Sequence, residues 1–168
     1  MPSSARSPAG ATSAMAASRS CGATAERGRM NDRAASIPRP LPKLEGLTGH
    51  FYDCCRKGEL RFQRCTNCGC FRHPPRELCA ECRSFVWEWA PSTGHGTVFT
   101  YTIVERALHP AFAGATPYAA AVVEFPEGVR LLSRVIDVAP ADLRIGMPVH
   151  VAFEALSETV TVPVFRFR

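Results

Sequence analysis

A chain of 168 residues, 46% of them hydrophobic, is long enough to bury a core as one domain or two small ones. Its longest apolar run, Tyr118 to Phe125, is broken by Glu124 and is strand-length, so no membrane-spanning helix is expected. The net charge of +5 belongs to the first half of the chain, whereas residues 91–168 carry six Arg against seven acids. That near-neutral half weakens any role in tracking a phosphate backbone.

Residues 1–42 are rich in Ala, Ser, Arg and Pro and show no apolar periodicity, so they are expected to form a disordered tail. Residues 1–29 have the Arg- and Ser-rich, acid-poor composition of an organelle transit peptide. They lack the apolar positions of an amphipathic presequence, and a start at Met30 or Met15 is the preferred reading. Residues 43–59 form the next unit. Within it Thr48 to Lys57 sets Phe51, Cys54 and Cys55 at helical spacing and ends at Gly58, which predicts a short amphipathic helix.

Residues 60–90 are read as a metal ribbon, with Leu60 to Gln63 as a strand leading into its first cysteine pair. Cys65-x-x-Cys68 and Cys79-x-x-Cys82 are separated by ten residues. Two residues between cysteines let a tight turn aim both sulfurs at one ion, and two such turns complete a tetrahedral four-thiolate shell. Such a shell has no open position, so the ion is structural, with zinc expected and iron as its competitor. Gly69 permits the positive φ the first turn needs, whereas the second turn has Arg83 there. His73 and Cys70 lie off the paired pattern and are read as loop residues. Cys21, Cys54, Cys55 and Cys70 show no pairing, and a reducing cytoplasm fits the cysteine usage better than a disulfide framework.

From residue 91 to 168 the period changes to two. Thr97 to Arg106, Tyr118 to Phe125, Val129 to Val138, Pro148 to Leu156 and Thr159 to Phe167 read as five strands, with a helical turn near Pro140 to Leu143. Five strands with a short helix after the third is the OB-fold order, so the fold class is mainly β: tail, short helix, zinc ribbon and five-stranded OB barrel. No G-x-S-x-G, P-loop or H-E-x-x-H motif occurs. None of His50, His95, His109 and His150 has a nucleophile at motif spacing, so no self-contained catalytic apparatus is expected. The long connection from Ala107 to Gly114 places Leu108 and Phe112 where exposed apolar groups mark a binding surface, or where Phe112 folds back to plug the barrel.

Several short motifs follow one another in a specific order: Arg39-Pro40-Leu41-Pro42, Gly58-Glu59-Leu60, Gln63-Arg64 before the first knuckle and Pro74-Pro75-Arg76 between the two. Gly94-x-Gly96-Thr97-Val98, His109-Pro110-Ala111-Phe112, Pro117-Tyr118 and Ile145-Gly146-Met147-Pro148-Val149 continue it. From Phe51 to Arg168 the chain thereby resembles the family of acyl-CoA-associated proteins that join a rubredoxin-like zinc ribbon to a C-terminal OB-fold. Tyr52 in place of a more usual Trp, the Cys54-Cys55 pair and Arg83 are departures that leave the four ligands untouched. The resemblance implies an accessory subunit that binds acyl-CoA and docks on a thiolase-fold enzyme or a MaoC-type hydratase in lipid, steroid or aromatic acid metabolism. Leu108, His109, Pro110, Phe112 and Tyr118 are then expected to form one wall of an acyl-CoA channel, with Phe112 against the acyl group. The rival reading is a nucleic-acid-binding ribbon and OB module. It is disfavoured because strands two and three supply only Arg130 and Arg134 as cations.

Overall fold

The computed structural model describes residues 39–167, so the tail expected over residues 1–42 lies almost wholly outside the described residues. Arg39 to Pro42 has no regular secondary structure, and the Arg39 guanidinium stands 5.4 Å from the centre of the Phe112 ring. The expected helix is α1, Gly46–Arg56. It begins two residues before Thr48 because the Gly49 N–H reaches the Glu45 carbonyl at 3.0 Å and closes an earlier turn. Its buried face carries Phe51, Cys54 and Cys55 as the spacing required, and Gly58 follows at φ +76.

Three antiparallel strands make the ribbon: β1 (Arg61–Cys65), β2 (Phe71–Arg72) and β3 (Trp87–Pro91), in the order β2-β1-β3. The barrel follows with β4 (His95–Val104), β5 (Tyr118–Glu124), β6 (Arg130–Ile136), β7 (Pro148–Ala155) and β8 (Thr161–Phe167). Its order is β4-β5-β6-β8-β7, closed by pairing of β7 with β4, and β6 lies parallel to β8. This is the Greek-key order of an OB barrel, and the turn at Pro140–Asp142 supplies the short helix after its third strand. Among the described residues no helix is long and apolar enough to cross a membrane.

The barrel interior alternates as a closed sheet must, with Ala119, Ala121 and Val123 of β5 facing Leu131 and Val135 of β6. The small alanines leave room for Phe125 and Phe165, whose rings lie 6.1 Å apart. Phe62 of the ribbon, fully buried, joins the same cluster with its ring 5.2 Å from Phe125, and Phe51, Cys55 and Leu60 extend it under α1. Helix, ribbon and barrel therefore share one hydrophobic core rather than three.

Gly96 marks where strands come too close for a side chain. A Cβ there would stand 2.5 Å from Val123 Cγ1 and 2.7 Å from the Glu124 carbonyl oxygen. Because one obstacle is backbone, Gly96→Ala is expected to cost about 1–3 kcal/mol, read as a lowered urea midpoint with an unchanged slope.

Candidate functional site: a four-cysteine centre and a groove along the barrel

The Cys65, Cys68, Cys79 and Cys82 sulfurs all lie within 4.8 Å of one another. Cys65 to Cys82 and Cys68 to Cys79 are each 3.6 Å apart, too long for disulfides. They match the edge of about 3.8 Å of a tetrahedron drawn with zinc–sulfur bonds of about 2.3 Å. Each knuckle is closed by its backbone. The Gly69 N–H donates to the Cys65 carbonyl at 2.8 Å, and the Arg83 N–H donates to the Cys79 carbonyl at 3.0 Å. Gly69 sits at φ +78 and Arg83 at φ +59, so the second knuckle adopts the same left-handed turn with a non-glycine residue.

The electrostatics favour a cation. The Cys68 and Asn67 amides donate to the Cys65 sulfur and help hold its thiol down at about 6, and the Cys82 amide lowers Cys79 in the same way. At Cys68 the Cys70 amide also favours the thiolate. Desolvation and the neighbouring Cys82, Cys79 and Cys65 sulfurs outweigh it and push this thiol up. Four sulfurs this close cannot all ionise without a positive ion between them, and a divalent metal supplies it. The donor set fits structural zinc, and Cys65, Cys68, Cys79 and Cys82 would hold it.

The remaining thiols take no part. Cys55 is buried and pushed up to about 12 by that burial and by its neighbour Cys54, so it is a packing thiol. Cys70 is exposed beside the knuckle, and Cys21 lies outside the described residues. His73 is not a ligand: its ring packs 4.8 Å from Phe51 and 5.6 Å from Phe62, and burial lowers it to about 4, which keeps it neutral.

The loop between β4 and β5 brings together four of the five residues expected at an acyl-CoA wall. Leu108, His109, Phe112 and Tyr118, with Val104 and Arg106, line a hollow of about 270 Å³. Pro110 instead starts a short 3₁₀ turn, Pro110–Phe112, which His109 caps by accepting the Ala111 N–H at Nδ1, 3.2 Å away. Phe112 is half-buried on the outside of the barrel and belongs to no part of the core, so it is not a plug. Leu108 is 93% exposed. The two cations of β5 and β6 are each held by a carboxylate, Arg130 by Glu124 at 2.9 Å and Arg134 by Glu154.

Sequence reasoning missed a cleft of about 530 Å³ where α1, the ribbon and the barrel meet. Its walls come from Phe51 and Tyr52, from His73 to Pro75, and from β6 and β8. Pro74-Pro75 was the one visible signal, since a rigid double proline holds a loop in place without showing what faces it.

Family models match both the ribbon and the barrel: "ChsH2, rubredoxin-like zinc ribbon domain" over residues 55–88 and "ChsH2, C-terminal OB-fold domain" over residues 89–154. A probable enoyl-CoA hydratase alpha subunit of Thermomonospora curvata is 36% identical over 128 residues, 76% of this chain, and the chain spans only 40% of that relative's length. A DUF35 domain-containing scaffold protein of Methanocaldococcus jannaschii is 38% identical over 96 residues, covering 56% of this chain and 67% of its own. Among solved structures, a chain of the Ltp2-ChsH2(DUF35) aldolase superposes with a TM-score of 0.70 at 35% identity, over 76% of this chain and 98% of that one. With ribbon and barrel matched in order and the four thiols in place, the chain belongs to the ChsH2 (DUF35) family of zinc-ribbon and OB-fold proteins.

Proposed function

We propose that this chain is a non-catalytic accessory subunit that binds acyl-CoA and docks on a thiolase-fold or MaoC-type hydratase partner, in the cytoplasm, as part of lipid, steroid or aromatic acid breakdown. The observation that carries the reading is the apolar hollow of Leu108, His109, Phe112 and Tyr118 on the outside of a filled barrel. A closed OB barrel with a packed interior binds on its surface, and this hollow adds mainly apolar area, with Arg106 the one permanently charged residue lining it. The relatives' names support it: one is a subunit of an enoyl-CoA hydratase, the other part of an aldolase assembly. The centre of four cysteines holds the ribbon rigid and has no open position for substrate.

A nucleic-acid role has less support, because Arg130 and Arg134, the only cations on β5 and β6, are both paired with carboxylates. The discriminating experiment is Phe112→Ala. Loss of an enclosed phenyl ring should weaken acyl-CoA affinity, or the partner's turnover, by about 1.5–3 kcal/mol, roughly tenfold or more. Zinc content and the melting temperature of the isolated chain should stay unchanged, because Phe112 lies outside the core. Destabilisation without any change in acyl-CoA binding would sink the reading for this residue.

A further inference from the structure

The hollow at the β4–β5 loop does not end at Phe112. The same ring lines a second, smaller hollow of about 190 Å³ together with Arg39 and Pro40, Val162 and Val164 of β8, and the mutually paired Arg134 and Glu154. Ser133 and Val162 in turn line both this section and the cleft of about 530 Å³ under α1 and His73. Three adjoining hollows thus run along one side of the barrel, joined at Phe112 and at Ser133 and Val162.

The two ends differ chemically. At the loop end stands Arg106, which makes no ion pair with any described residue, and Arg39 over Phe112 is likewise unpaired among them. At the far end the walls are Phe51, Leu131, Leu132, Pro75 and Pro163. The nearby histidine is neutral, and the one cation, Arg130, is held by Glu124 and lies 3.5 Å over the Phe99 ring. A ligand anionic at one end and apolar at the other matches this polarity.

We propose that the three hollows form one groove for CoA thioesters of long acyl chains, with the CoA end at Arg106, the first acyl carbons at Phe112 and the distal chain in the cleft beside His73. The assignment rests on the acyl-CoA reading above and adds to it a length preference set by residues of α1 and the ribbon, which that reading does not involve. Arg39 and Pro40 line the middle section, so the acyl chain passes against these two residues and beside the Arg134–Glu154 pair.

The test uses the zinc-loaded full chain with dodecanoyl-CoA below its micellar concentration and acetyl-CoA as probes in titration calorimetry. Dodecanoyl-CoA should bind at least about tenfold more tightly, as expected when several more methylenes leave water. Leu132→Glu puts a charge on the cleft rim at a position 67% exposed, so the fold tolerates it, and Thr48→Trp fills the cleft from the exposed side of α1. Each should remove most of the dodecanoyl-CoA preference and leave acetyl-CoA affinity unchanged, while Phe112→Ala weakens both. Equal binding of the two probes, or a preference that survives both cleft variants, overturns the groove and leaves the loop site standing. Binding of neither probe overturns the acyl-CoA reading and the groove together.

Discussion

Metal analysis of the purified chain is expected to return one zinc per molecule, and Cys68→Ser is expected to release it and unfold the ribbon. No other observation in the chain has a larger consequence. Structural zinc in small four-ligand units contributes roughly 10–16 kcal/mol to folding, more than most domains have in total. The ribbon sheet has only two short pairings, two residues long between β1 and β2 and five between β1 and β3, which cannot replace that contribution. The sign of the pH dependence follows from the thiolates. Amide bonds keep Cys65 ionised down to about 6, and below that protons compete with the metal, so zinc affinity should fall as the pH falls. An undisturbed circular dichroism spectrum in the quadruple cysteine variant, or red protein carrying iron, would contradict a structural zinc site.

The second large effect is expected at Phe62. Its ring belongs by sequence to the ribbon but is fully buried against Phe125 of the barrel, 5.2 Å away, and against His73, 5.6 Å away. Phe62→Ala should destabilise the chain by about 3–5 kcal/mol through lost burial and the cavity left at the junction. Because one cluster runs from Phe51 to Phe165, the loss should appear as a single lowered transition for the ribbon and barrel signals alike. Two separate transitions, with the barrel's unmoved, would show the units to be independent.

These two residues illustrate how unevenly the chain could be read before its fold was known. The knuckles were legible because their information is local: two cysteines two residues apart define a turn whatever surrounds them, and the sulfur cluster observed is the one the spacing required. Alternation was legible for the same reason, and the five strands appear within a few residues of where the period of two placed them. Their barrel order followed from the number of strands and the turn at Pro140–Asp142. Even Arg83 was flagged, as a position where the turn asks for a left-handed residue, and it adopts φ +59.

What the tertiary structure alone decided is everything made by segments distant in the chain. Nothing in Arg61 to Cys65 says that Phe62 points into the barrel, because an alternating strand shows which residues share a face but not what covers that face. The side on which Phe112 would fall was open for the same reason. A loop carries no period, and only the barrel's complete interior leaves the ring outside, between Arg39 and His109. The cleft is assembled from α1, the Pro74-Pro75 loop, β6 and β8, each unremarkable by itself. Sequence thus determined the metal centre and the order of strands, where the physics acts over a few bonds. Closure of the barrel against the ribbon determined the shared core and the groove, which depend on packing between residues more than a hundred positions apart.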